Sequence, residues 1–146
     1  MDWLNIYGLI TMIIIMIPNI IFAIKEKNFK SKYNNKIVEF IEQIGRFGSM
    51  GLMIFNIPLL DYGYLLPNGK VLYVFSSATL SILYCIVWFL YFRKASIKKA
   101  MLLAIIPTIL FLSSGIIQGK ILLIISSILF GITHVIITYY NNIISD

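Results

Sequence analysis

The chain has 146 residues, 60% of them hydrophobic and 12% charged, and a water-soluble domain of that size would have too little polar surface to cover itself. A single cysteine, Cys85, excludes an internal disulfide and any multi-thiolate zinc or iron–sulfur site. The net charge of +6 would suit nucleic acid only if Lys and Arg gathered on one exposed face. Here they fall between apolar runs, so no nucleic-acid partner is expected.

Roughly 20 apolar residues carry a helix across about 30 Å of hydrocarbon, and five runs of that kind are present. They cover about 3–24, 37–60, 71–92, 100–117 and 121–140. The first ends at Lys25. It is preceded by Asp2 and followed by lysines, the reverse of a signal peptide, so it is expected to be retained. The second is interrupted near its start by Glu39, Glu42 and Arg46. A DYGYLLPNGK connector (Asp61 to Lys70) with a Pro-Asn-Gly turn signal leads to the third, which closes on Arg93 and Lys94. Only Gln118, Gly119 and Lys120 separate the fourth run from the fifth, which makes those two antiparallel neighbours. The expected fold is all-α, an integral membrane bundle of five transmembrane helices forming one domain over 1–146.

Orientation follows from Lys and Arg, which stay on the cytoplasmic side. The first connector holds Lys25, Lys27, Lys30, Lys32 and Lys36, and the third holds Arg93, Lys94, Lys98 and Lys99, whereas the opposite side has only Lys70 and Lys120. The N-terminus is therefore expected outside and the C-terminus in the cytoplasm. Trp3, Tyr7, Tyr62, Tyr64, Trp88, Tyr91, Tyr139 and Tyr140 fall near run ends, where amphipathic rings favour the interface.

Ionisable groups at membrane depth are costly and mark candidate sites. Glu39, Glu42, Gln43 and Arg46 follow i, i+3, i+4, i+7 spacing and share one helical face, with Glu42 and Arg46 in the favoured order for an intrahelical pair. This stripe reads either as an amphipathic first turn at the interface or as a buried functional face. Gly45, Gly48 and Gly51 allow close helix approach beside it. His134, the single histidine, shares a face with Ser127, Gly131 and Thr138, which reads as a packed imidazole or a proton-handling one. Pro18 frees a backbone acceptor in the first run, with Asn19 as its substitute partner. Asn19, Glu39, Glu42, Gln43, Arg46 and His134 thus fall at similar depth in the cytoplasmic half. The other half offers hydroxyls (Ser76, Ser77, Thr79, Ser81, Ser113, Ser114, Ser126 and Ser127), which read as close-packing groups. There is no nucleophile elbow, Walker loop, H-E-x-x-H or dinucleotide fingerprint, so no catalytic residue is assigned and no cofactor or metal is expected.

The stretches IPNIIFAIK (Ile17 to Lys25) and KIVEFIEQIGRFGSMGLMIFNIP (Lys36 to Pro58), with LFLSSG (Leu110 to Gly115) and the segment around His134, resemble a group of small multi-spanning membrane proteins of low-GC Gram-positive bacteria. The resemblance implies a multi-pass protein of the bacterial plasma membrane. It carries no activity and no site residues.

Three function classes stay open. A small transporter, or the membrane subunit of one, would use the stripe to bind an ion or polar solute, and five helices would then call for a homo-oligomer or a partner subunit. An accessory membrane protein would use the stripe only to fix helix packing. A membrane-embedded enzyme acting on a lipid or isoprenoid would use His134 with Glu42 as acid and base, and it is the least supported because no nucleophile or metal set accompanies them.

Overall fold

The computed structural model describes residues 3–25, 35–64 and 66–144, the side chains of 142–144 excepted. Asp2 and the connector lysines Lys27, Lys30 and Lys32 lie outside the described residues. Among those residues the structure consists of five helices, α1 (Ile6–Lys25), α2 (Lys36–Ile54), α3 (Gly69–Arg93), α4 (Ile97–Gln118) and α5 (Ile121–Ile144), with no strand beyond two isolated bridges. Four of them, α1, α3, α4 and α5, are long and apolar enough to cross a membrane. Lys36, Glu39, Glu42 and Arg46 keep α2 out of that set.

Local chemistry explains the helix ends. Asn35 caps α2 by accepting from the backbone N–H of Ile37 and Val38 at 3.1 and 3.3 Å, and Ser96 caps α4 through the N–H of Lys99. Gly119 ends α4 with φ +68°, the left-handed conformation that glycine adopts without strain. The second helix stops at Ile54, short of residue 60 where the apolar run ends. Pro58 biases the residue before it towards extended backbone, and the segment finds other partners. Asn5 N–H donates to Ile54 O at 2.7 Å and Asn56 N–H to Trp3 O at 2.8 Å, so the chain bridges back to the start of α1.

The helices close into a ring in the order α1, α2, α5, α4, α3 and back to α1. The α2/α5, α4/α5 and α3/α4 seams are extensive, whereas α1 touches α2 and α3 much more thinly. Met53, Leu110, Phe111, Leu123 and Phe130 are buried at the centre. The outward face of α1 (Ile6, Ile10, Ile13, Ile17, Ile20, Ile24) is exposed, an apolar surface that suits lipid rather than water. Close approach sets the tightest seams. A Cβ on Gly45 would meet the Phe130 backbone N at 2.5 Å, and one on Gly131 would meet the Thr108 side chain at 2.3 Å, so glycine is what lets α5 lie against both neighbours. Gly51 faces open space and makes no such contact.

Trp88 departs from the interfacial role read for it. It is buried, with its ring 5.3 Å from Phe22 and 5.1 Å from Phe92, because α3 turns that face towards α1. Trp3, Tyr62, Tyr64, Tyr139 and Tyr140 are exposed near helix ends. The hydroxyls of Ser76, Thr79, Ser113 and Ser127 donate to carbonyls of their own helices, as packing residues do.

Candidate functional site

Two polar clusters occupy opposite ends of the ring. At the end carrying Lys25 and Arg93, the Gly45 contact draws α2 and α5 together and sets Glu42 against His134. The Glu42 residue is only 3% exposed. Its Oε1 forms an ion pair with the Arg46 guanidinium one turn along α2, and it lies 3.4 Å from Nδ1 of His134 on α5. The imidazole is fixed from its other side by stacking on Phe130, with centroids 4.7 Å apart and planes 17° from parallel, and Phe130 in turn packs edge-on against Phe111. The Arg46 and His134 side chains remain 41% and 24% exposed. The carboxylate is therefore enclosed while its two partners reach outwards.

Of the other stripe residues, Glu39 is half-buried and Gln43 is exposed, so the stripe splits along its length. Asn19 finds its partners on the α1/α3 seam. Its Nδ2 donates to Ile15 O and to the Tyr84 hydroxyl, each at 2.9 Å. The substitution expected at Pro18 is differently filled. The acceptor that Pro18 frees is Ile14 O, and the group approaching it is Cys85 Sγ from α3 at 4.0 Å. Asn19 serves the next carbonyl instead, because its amide is also drawn across the seam by Tyr84. Among the described residues no group of three His, Cys, Asp or Glu side chains gathers as a metal site.

The second cluster lies at the Lys120 end, where the residue pattern pointed to hydroxyls alone. Asn5 donates through Nδ2 to the Tyr73 hydroxyl at 3.2 Å and to Gln118 Oε1 at 3.0 Å, while its Oδ1 accepts from the Gly8 N–H at 3.0 Å. Gln118 passes the chain on to Ser114 O. Lys120, read from the sequence as a connector charge, is 6% exposed. Its Nζ donates to Asn56 Oδ1 at 2.8 Å and Leu52 O at 3.4 Å, and burial draws its pKa below the usual 10.5, an effect that nearby Asp61 opposes. Backbone bonds from Tyr62 N–H to Gly119 O and from Ile121 N–H to Leu60 O lay the α2–α3 connector over this end. Beneath it is a cavity of about 520 Å³ lined by Asn5, Tyr7, Asp61, Tyr64, Lys70 and Lys120 among others. Burial, with Tyr7 and Asp61, raises the pKa of Tyr64 there. The sequence signals for this site were Asn5 just inside the first run and the Gln118-Gly119-Lys120 triplet, polar groups that a topology reading spends on connectors.

No family model, curated protein or solved structure matches the chain. A carboxylate held between a permanent cation and an imidazole can take up or release a proton through the imidazole, the one side chain whose ordinary titration range lies near neutrality.

Proposed function

We propose that the chain is a five-span protein of the bacterial plasma membrane that acts as a small carrier, or as the membrane subunit of one, with Glu42, Arg46 and His134 as its proton-exchanging site. The observation that supports this is the 3.4 Å approach of His134 Nδ1 to a carboxylate only 3% exposed. The Glu42–Arg46 pair lies within α2, and the partner that reaches it from α5 is a titratable imidazole placed against an enclosed carboxylate. On this reading α2 also spans, its 19 residues reaching about 28 Å, because the paired charges of Glu42 and Arg46 lower the cost of insertion. The N-terminus lies outside, the cluster lies in the cytoplasmic half, and a second copy or partner subunit completes the pathway.

Reconstitution in liposomes holding a pH-sensitive dye tests the reading. With an imposed pH gradient, the wild-type protein collapses the gradient and Glu42→Gln does not, at equal reconstituted amounts and helix content. Equal dye responses from both proteins would discard the carrier reading and leave the cluster as a packing device of an accessory protein.

A further inference from the structure

The Lys120-end cavity has an apolar neighbour. Tyr7 lines both it and a second, apolar cavity of about 210 Å³ that runs between α1 and α3 past Ile10, Ile14, Val74, Ala78 and Ile82. The groove exists because α1 meets α3 much more thinly than α3 meets α4. From Tyr7 to Ile14 it descends about 10 Å at the helical rise per residue. The hydroxyl oxygens of Ser77 and Ser81, on its α3 wall, are shielded from the surface, so the wall is aliphatic. At its head stand two ammonium groups. Lys70 Nζ lies over the Tyr7 ring at 5.4 Å, and Lys120 has three N–H donors of which Asn56 and Leu52 take two. The carboxylate of Asp61 is the one acidic side chain among the described lining residues, so the mouth carries a net positive charge.

A cationic, hydrogen-bonding mouth at the helix ends, set beside an aliphatic slot with Tyr7 lining both, has the chemistry of an amphiphile with an anionic head. We propose that the cavity and groove together bind one anionic glycerophospholipid, its phosphate between Lys70 and Lys120 and one acyl chain between α1 and α3. A free polar solute would leave the groove empty. A neutral hydrocarbon would leave the lysines unused. Lysines close to a bilayer surface attract anionic headgroups electrostatically.

Native mass spectrometry of the detergent-solubilised protein, offered phosphatidylglycerol, phosphatidylcholine or glycerol phosphate in separate arms, reads the site directly. One phosphatidylglycerol is retained, phosphatidylcholine is held more weakly, and glycerol phosphate is not held. Lys70→Ala lowers phosphatidylglycerol retention about fivefold, the effect of one lysine beside an anionic lipid. Ala78→Phe fills the groove without touching a charge and lowers retention by about tenfold or more, since each methylene denied its seat weakens binding. Both positions are exposed, so neither change disturbs the packed core. Unchanged retention in either variant overturns the proposal. So does phosphatidylcholine held as firmly as phosphatidylglycerol, or glycerol phosphate retained on equal terms with the lipid, which would make the cavity a site for a free solute. Neither variant touches Glu42, so the outcome is independent of the proton-flux experiment.

Discussion

Nδ1 of His134 lies 3.4 Å from Oε1 of Glu42, and the two residues reach each other from α5 and α2 across a seam with no room for a side chain at Gly45. Charge and close packing are thereby joined in one arrangement. The pair exists only while the two helix backbones touch.

Replacing Gly45 tests that joint. A Cβ at this position would sit 2.5 Å from the Phe130 backbone N, and backbone cannot yield as a flexible side chain would. Gly45→Val should lower stability by about 1–3 kcal/mol, the usual range for overpacking. Thermal unfolding in detergent, followed by circular dichroism, measures it. A melting temperature equal to that of wild type would show that the seam is looser than described.

The ion pair makes a second prediction. Removing Glu42 alone leaves the Arg46 cation beside a buried, empty site, and because Arg46 is 41% exposed the cost should be about 1–3 kcal/mol, below that of a fully buried pair. Glu42→Leu combined with Arg46→Leu should recover part of that loss. A double-mutant cycle on unfolding free energies measures the coupling, and purely additive losses would mean that the two side chains do not stabilise each other.

At the opposite end, Asn5→Leu removes two donor bonds and one acceptor bond at once and leaves Tyr73 and Gln118 without that partner. The expected cost is about 1–3 kcal/mol. Faster hydrogen exchange at the Gly8 amide would localise the damage. Exchange at the wild-type rate would refute the network.

The Lys120 ammonium gives a pH dependence with a definite sign. Its folded pKa lies below the usual 10.5, so between the two values the unfolded chain binds more protons than the folded one and stability rises with pH. Tyr64, whose folded pKa is raised, works in the opposite direction above its ordinary range near 10. Comparison with Lys120→Met cancels the tyrosine, which both proteins share. As pH is raised towards 10.5, the wild type should gain stability relative to Lys120→Met in chemical unfolding. A constant difference would place Lys120 in water.

Threading is tested by cysteine labelling in a Cys85→Ser background. Cysteine at Tyr62 should react with an impermeant maleimide added to whole cells, and cysteine at Lys94 should react only after lysis. The reverse pattern would invert the orientation proposed above.

Much of the helical layout is legible in the residues because apolar run length is a local property. The runs near 71–92, 100–117 and 121–140 lie within α3, α4 and α5. The end of α2 is not local. It depends on Trp3 and Asn5 offering backbone partners to Asn56 and Ile54, groups distant in sequence. Spacing on one helix is enough to pair Glu42 with Arg46, but the meeting of Glu42 with His134 requires the order of helices in the ring. Asn19 shows the converse. Its depth suited the acidic cluster, yet its side-chain partner is Tyr84 on the adjoining helix. Lys120 was hidden for a simpler reason. A lysine between two apolar runs reads as a charge in water until the folding of the α2–α3 connector over it is known.

The ring order also bears on how the protein is made. The main partner of α2 is α5, and all of α3 and α4 lies between them in the chain. Glu42 therefore emerges from the ribosome well before the histidine that faces it. In that interval α2 has Arg46 on its own surface and only the thin seam to α1. The contact between Glu42 and His134 is therefore expected to form last, once the α4–α5 hairpin is made.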